Sequence, residues 1–164
     1  MPIICQLTAL PAEPAAALLA DPGRLATTLA SAQRYTGVYR YWHGIHHLLS
    51  LHTPPADLLG QGLPVSAADG DIPAARLLDL RQVQALDAAL QEISPESLAE
   101  QYDAGVLDAA GIYPRCWEAW EESFDPLGQL LEHYFYLQSF AHECATEGRS
   151  LLLSFSFLND GSDD

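Results

Sequence analysis

The sequence predicts an α+β fold: a single compact domain with a small sheet, including both terminal strands, covered by several α-helices. Both ends of this domain, at 2–8 and 150–158, are apolar and β-prone. Between them, apolar residues recur at helical spacing in several segments. No internal repeat or linker interrupts these segments, so one domain is predicted over 1–158, followed by an acidic tail at 159–164.

The first part of the chain is predicted to hold one strand and then two helices. Leu10-Pro11 ends the strand, and an alanine- and leucine-rich helix follows over 12–20. Asp21-Pro22 is typical of a helix start, because an aspartate N-cap precedes a proline, and predicts a second helix over 22–32. Tyr35-Thr36-Gly37 is predicted to be a turn that leads into a third helix.

Residues 41–49, in the third predicted helix, hold half of the six histidines and one of the three tryptophans. Its apolar residues recur at i, i+3, i+4 and i+7, which is the spacing of a helix that buries one face. That face comprises Val38, Tyr41, Trp42, Ile45, Leu48, Leu49 and His52. His43 and His47 lie on the opposite side, and His46 lies at the flank. Gly44 costs about 1 kcal/mol relative to alanine inside a helix, so we expect another element to approach it closely.

The second part of the chain is predicted to alternate short strands with helices. Glycines and prolines between 56 and 73 disfavour a long helix there, and two short strands are expected near 58–65 and 75–78, with a turn between them. The remaining predicted elements are a helix at 80–93, a helix opened by Ser94-Pro95, a short helix at 106–110 closed by Gly111, an extended Ile112-Tyr113-Pro114, a long helix from Asp125-Pro126 to Glu147 capped by Gly148, and the closing strand.

Composition excludes several classes of protein. The chain has 164 residues, of which 49% are hydrophobic, enough for a core and too many for a disordered chain. No apolar run reaches the about 18 residues needed to cross a bilayer, and residues 1–7 do not resemble a signal peptide. The three cysteines are widely spaced and odd in number, which argues against a disulfide framework. We expect a cytoplasmic protein with reduced thiols.

Charge is the strongest global signal. The chain has 22 acidic residues and 7 basic ones, all arginine, for a net charge of −15. Between Asp87 and Glu132 there are eleven carboxylates and one arginine, Arg115. Such a surface repels nucleic acid and anionic lipid, and it attracts a basic protein partner. The alternative interpretation is that the acidity serves only to keep the protein soluble.

The segment Trp42-His43-Gly44-Ile45-His46-His47-Leu48-Leu49 resembles the tryptophan-histidine helix of the DUF1877 family, also called YfbM-like proteins. Four further pieces agree in order and spacing: the strand-like opening, Leu19-Ala20-Asp21-Pro22, Pro73-Ala74-Ala75-Arg76-Leu77-Leu78, and Ala110-Gly111-Ile112-Tyr113-Pro114 followed by Trp117. The resemblance covers essentially the whole chain and implies a compact α+β domain. The family commonly has a tyrosine and a threonine where this chain reads Arg76-Leu77-Leu78-Asp79. No activity is established for the family in general, so the resemblance implies no catalytic residues.

No residue set forms a recognisable catalytic or metal site. His43 and His47 are spaced so that they could share an ion, but no third ligand stands near them, and zinc sites need three or four. We therefore expect no metal or other cofactor, and hydrogen-bonded or solvated histidines. Motifs of serine hydrolases are absent, and Gly60-Gln61-Gly62 lacks the lysine of a phosphate-binding loop. Cys5 and Cys144 fall on apolar faces and are predicted to be core thiols.

Two functional hypotheses follow. The first is a non-catalytic acidic protein-binding module, in its concrete form an antitoxin-like or immunity-type protein that masks a basic toxin or effector. Its predicted contact residues are Trp117, Glu118, Trp120, Glu121, Glu122 and Asp125, although the two tryptophans could instead pack beneath the sheet. The second is an enzyme or small-ligand-binding protein. Its predicted pocket residues are Trp42, His43, His46, His47 and Tyr113. The sequence predicts no particular oligomeric state.

Overall fold

Five strands form one antiparallel sheet in the computed structural model, which describes residues 2–158. The strands are β1 (Ile3–Leu10), β2 (Tyr35–Tyr39), β3 (Leu63–Pro64), β4 (Arg76–Leu78) and β5 (Ser150–Phe157), in the spatial order β2-β1-β5-β4-β3. The two terminal strands are neighbours over their full length, from Ile3 opposite Phe157 to Leu10 opposite Ser150. The predicted α+β fold with a strand near each end is therefore confirmed. The predicted acidic tail, 159–164, lies outside the described residues.

Helices make up most of the chain between the terminal strands. They are α1 (Ala12–Ala20), α2 (Leu25–Ala30), α3 (Trp42–Ser50), α4 (Leu80–Gln91), α5 (Pro95–Gln101), α6 (Ala104–Ala109), α7 (Trp117–Glu121) and α8 (Pro126–Glu147), with a 3-10 turn at Pro22–Arg24. Local caps begin and end several of them. The side chain of Ser94 accepts a hydrogen bond from the Ser97 amide, that of Asp125 accepts one from the Gly128 amide, and Gly148 ends α8 with φ 67°. None of these helices is long and apolar enough to cross a membrane.

The two faces of the sheet support cores of different size. On one face, Cys5 and Leu7 of β1 and Leu153 of β5 join the large core formed with α3 to α8. On the other face, Leu152 packs in a smaller cluster with Leu18 of α1 and residues of β4. Because side chains alternate along a strand, adjacent residues of β5 serve different cores. The larger core carries the elements that form the candidate site.

Three local predictions were wrong. Tyr35-Thr36-Gly37 begins β2 and is not a turn, because pairing with β1 stabilises its aromatic and β-branched residues as a strand. In consequence Val38 lies in β2, and the third helix begins at Trp42. The predicted helix at 22–32 is divided into the 3-10 turn and α2, and α2 ends at Ala30.

Two unusual residues inside helices have a packing explanation. A Cβ atom at Gly44 would lie 2.7 Å from Cη2 of Trp117, which confirms the predicted close approach to α3. Gln138, the polar residue in the apolar stripe of α8, donates from Nε2 to the carbonyl oxygens of Leu90 and Ile93, both at 3.0 Å. These carbonyls lie in the last turn of α4 and just beyond it, so Gln138 joins α8 to the C-terminal end of α4.

Candidate functional site

Trp42 is a buried structural residue. Its side chain is 4% exposed, and its indole Nε1 donates a hydrogen bond to the carbonyl oxygen of Ile3 at 3.0 Å. Its ring stacks on those of His43 and Tyr113, with centroids 5.2 and 5.4 Å apart. Three of the five predicted pocket residues are thus brought together, and they pack against one another. Whether they bind a ligand stays a prediction.

Hydrogen bonds connect this cluster to the sheet. The Tyr113 amide donates to Nδ1 of His43 at 2.9 Å, and the Ile3 amide donates to the hydroxyl oxygen of Tyr113 at 2.6 Å. Burial lowers the pKa of His43, which favours the neutral ring that this accepting role of Nδ1 requires. The cluster of Trp42, His43 and Tyr113, hereafter the Trp42 cluster, therefore joins α3, the segment before α7 and β1.

The other two predicted pocket residues lie further along α3. Nδ1 of His46 is 3.8 Å from a carboxylate oxygen of Asp57, and burial lowers the pKa of His46. His47 is half-buried. Within residues 2–158, no three His, Cys, Asp or Glu side chains are grouped closely enough to hold a metal ion.

The cysteines do not have the environment of nucleophiles. Cys5 and Cys144 are buried, as predicted, and burial raises the pKa of both thiols, that of Cys144 to about 11. Burial also raises the pKa of Cys116, which is partly exposed. A reactive cysteine requires a lowered pKa because the thiolate is the nucleophile. The three thiols therefore favour structural roles.

Trp117 is fully buried, so it has no exposed surface with which to contact a partner. The first hypothesis had named it as a contact residue. Its indole Nε1 donates to the Ile112 carbonyl oxygen at 3.1 Å, and Gly44 provides the space for its ring. Asp108 fixes the start of α7, since its carboxylate accepts from the amides of Trp117 and Glu118 at 2.8 and 3.0 Å. Trp120, one turn later, is half-buried and lies at the surface.

Trp120 belongs to a continuous row of aromatic rings. The row runs Phe124, Trp120, Tyr41, His133, Tyr136, Phe135, with successive centroids 5.3, 5.8, 4.9, 5.6 and 6.4 Å apart. Tyr41 in the middle is buried, but both ends of the row are open to solvent. Phe124, Tyr136 and Phe135 are 39%, 38% and 58% exposed, which is unusual for large aromatic side chains.

Arg40 lies against this row without a charged partner. Its guanidinium carbon is 5.2 Å from the ring centroid of Tyr39 and 5.6 Å from that of Trp120. Its Nε is buried and has no hydrogen-bond partner among residues 2–158, and no ion pair in that range includes it. Tyr39 has φ 54°, a left-handed conformation that costs a non-glycine residue about 1–2 kcal/mol. Such strain is found more often at functional sites than elsewhere.

Five exposed carboxylates lie on α7, on α8 and in the segment between them, the part of the chain that carries five of the six rings of the row. They are Glu118, Glu121, Glu122, Asp125 and Glu132, and none of them forms an ion pair within the described part of the chain. Glu132 accepts a hydrogen bond from the Tyr136 hydroxyl at 2.7 Å, which raises the pKa of that tyrosine. Glu121 accepts one from Tyr102 at 3.0 Å. We call the aromatic row together with these five carboxylates the aromatic–acidic face.

Comparison with known proteins identifies the family. The sequence model of a family described as "Domain of unknown function (DUF1877)" matches residues 1–154. The chain belongs to the DUF1877 family. The fold of this DUF1877 chain is similar to the crystal structure of a protein of unknown function, YfbM from Escherichia coli, with a TM-score of 0.68. The two share 20% sequence identity, and the match covers 93% of this chain and 99% of that one, so the likeness shows the fold alone. No curated protein matches the sequence.

Sequence reasoning missed half of the site in this DUF1877 chain. It identified Trp120 and four of the five rim carboxylates, but not Arg40, Tyr41, His133 or Tyr136. One signal was present in the sequence. Phe135 and Tyr136 lie outside the apolar stripe of α8, and large aromatics on the polar side of a helix can indicate an interaction surface.

Proposed function

We propose that the protein is a non-catalytic binding module whose aromatic–acidic face recognises a basic segment of a protein partner. The observation that carries this proposal is the combination of a half-exposed aromatic row with five exposed carboxylates that form no ion pair within residues 2–158. Aromatic residues are enriched in the centres of protein interfaces, and rim charges accelerate association. The aromatic–acidic face has both aromatic rings and charged residues.

Arg40 supports the choice of a basic partner, because it is an example of the contact that we propose. Its guanidinium lies against the ring of Trp120 in the face and the neighbouring ring of Tyr39, and such cation–π contacts contribute about 0.5–1 kcal/mol at exposed sites. Arginines of a partner could pack on the open rings of Phe124 and Tyr136 in the same way. The nearby carboxylates would then pair with the same guanidinium groups.

In its concrete form, we propose an antitoxin-like or immunity-type protein that masks a basic toxin or effector in the cytoplasm. The net charge of −15 supports this version, since a strongly charged inhibitor captures an oppositely charged target quickly. The mutual repulsion of the carboxylates would be relieved when such a target binds. Function then requires only a complementary surface, and no catalytic group.

The test begins with partners that co-purify from the source cells at low ionic strength. Association of the identified partner is measured with wild-type protein and with a variant in which Glu118, Glu121 and Glu122 are changed to glutamine. We expect association roughly tenfold slower and less sensitive to salt, because steering depends on these charges. Thermal stability should be unchanged or slightly raised.

A matched control removes the same charge elsewhere. Glu92, Glu96 and Glu100 are exposed residues of the α4–α5 region, outside the aromatic–acidic face. Their combined replacement by glutamine should slow association much less than the first variant does. If the first variant binds with the wild-type rate and salt dependence, the carboxylates of the face are only solvated. If both variants slow binding equally, net charge acts without a specific surface.

A further inference from the structure

A cavity lies at the opposite end of α8 from the aromatic–acidic face. Its volume is about 630 Å³, and it is bordered by α1, α2, the end of β1 and the segment that precedes β2. Sites for small molecules typically have volumes of about 300–1,000 Å³. It shares no lining residue with the face or with the predicted α3 pocket.

The two walls of the cavity differ in chemistry. One wall is apolar and includes Leu10, Pro14 and Ala17. The other wall is polar and comprises Arg24 at the end of the 3-10 turn, Thr27 and Thr28 of α2, and Ser31 directly after α2, which are spaced i, i+3, i+4 and i+7. This division suits a ligand that has an apolar body and a polar group.

Arginines are concentrated in the lining of this cavity. Three of the seven arginines of the chain, Arg24, Arg34 and Arg149, line it, together with one carboxylate, Glu13. In a protein with a net charge of −15, this composition is the reverse of the general surface. The lining itself therefore favours an anionic group over a cationic one.

Two carboxylates outside the lining hold the arginines in position. Nη2 of Arg34 contacts Glu143 at 2.6 Å, Nη1 of Arg34 contacts Glu147, and Nε of Arg149 contacts Glu147 at 3.1 Å. A guanidinium has five N–H donors, so both arginines keep donors that these contacts do not use. Their side chains remain 34% and 32% exposed. Asp21, 3.7 Å from Nε of Arg24, together with Glu143 and Glu147 offsets the charge of the lining, so affinity depends on the guanidinium donors that these contacts leave free and on the apolar wall.

We propose that this cavity binds a small organic carboxylate with an apolar body. The body lies on the wall of Leu10, Pro14 and Ala17, and the carboxylate accepts hydrogen bonds from Arg149 and Arg34. Planar guanidinium groups suit this role because they recognise carboxylates with two parallel hydrogen bonds. The proposal is independent of the proposed function, because the two sites share no residue.

The test uses 4-phenylbutyrate and its neutral analogue 4-phenylbutanamide in NMR titrations of the whole chain. We expect the carboxylate to shift the backbone amides of Thr27, Thr28 and Ser31, and to bind roughly five- to tenfold more tightly than the amide, since hydrogen bonds to charged groups are stronger. Equal affinity for the two compounds overturns the assignment of an anionic ligand. Shifts confined to other parts of the molecule, or none in the millimolar range, overturn the site.

Two pairs of variants localise the binding. Ala17→Phe fills the cavity and should abolish the shifts, whereas Ala16→Phe, on the same helix but outside the lining, should not. Arg149→Gln should remove the preference for the carboxylate, and Arg81→Gln, which makes the same charge change on exposed α4, should keep it. If Ala17→Phe fails to fold, the arginine pair decides alone. Retained preference in Arg149→Gln contradicts the proposal.

Discussion

Two tryptophan clusters on the same side of the sheet have similar contacts and different exposure. In the Trp42 cluster, the rings of Trp42, His43 and Tyr113 stack, and hydrogen bonds join them to one another and to Ile3 of β1. In the aromatic–acidic face, Trp120 contacts other rings at comparable distances. There, however, Arg40 has an unpartnered buried Nε, and the rim carboxylates have no ion-pair partners within residues 2–158.

The difference shows why ring stacking by itself does not indicate a binding site. Where polar atoms are partnered within the protein, a ligand must break existing hydrogen bonds to bind, and each broken bond leaves a buried group unsatisfied. Where a polar atom has no such partner within residues 2–158, as at Nε of Arg40, a ligand can supply the missing contact. The Trp42 cluster therefore supports the fold, and the less conspicuous aromatic–acidic face is the better candidate for recognition.

The largest expected effect tests this contrast directly. Trp42→Ala should reduce the free energy of unfolding by about 3–5 kcal/mol, because it leaves a large cavity in the core and an unpaired Ile3 carbonyl. Trp120→Ala, at a half-buried position, should cost less than half as much. Chemical denaturation of both variants measures the difference. Equal losses of stability would show that Trp120 is a structural residue too.

Elements with local signals were predictable from the sequence, and those that depend on distant partners were not. Ser94, Asp125 and Gly148 mark helix ends by their own chemistry, so α5 and α8 were placed correctly at these ends. By contrast, β2 exists only through its pairing with β1, and Gly37 within it resembles a turn signal. A short strand of this kind cannot be identified without its neighbour.

The candidate site was harder to predict because its parts are far apart in the sequence. Tyr41, Trp120 and His133 come from three elements, and their contacts depend on how α3, α7 and α8 pack. The burial of Trp117 is a similar case. Gly44 signalled a close approach, but nothing local identified Trp117 as the residue that makes it. The acidity of the surface, which is a sum over residues, was apparent from composition.

An intermediate effect is expected from Gly44→Ala, which tests how firmly the core holds the Trp117 ring, 5.2 Å from that of Trp120. Alanine gains about 1 kcal/mol in helix propensity. The added Cβ would nevertheless lie 2.7 Å from the Trp117 ring, and overpacking of this kind costs about 1–3 kcal/mol. We expect net destabilisation by thermal and chemical denaturation.

A double-mutant cycle isolates the cause of that loss. In a Trp117→Leu background the indole is absent, so Gly44→Ala should become neutral or stabilising there. A loss of the same size in both backgrounds would place the cost elsewhere in α3. The cycle separates the steric contact from any effect of alanine on the helix itself.

The smallest expected effect concerns pH and distinguishes the Trp42 cluster from the exposed face. Burial lowers the pKa of His43 and His46 in the folded protein, so the unfolded chain binds protons more readily near its ordinary pKa of about 6.5. The stability that these residues contribute is fully present above that pH. It is lost as the pH falls from about 6.5 toward the lower folded-state values.

His43→Gln keeps an acceptor for the Tyr113 amide but cannot titrate, so its stability should fall less steeply between about pH 7.5 and 5. Denaturation at several pH values measures the slopes, with His47→Gln as a control on the same helix. A His43→Gln slope equal to that of the wild type would show that protonation of the Trp42 cluster does not limit stability in acid.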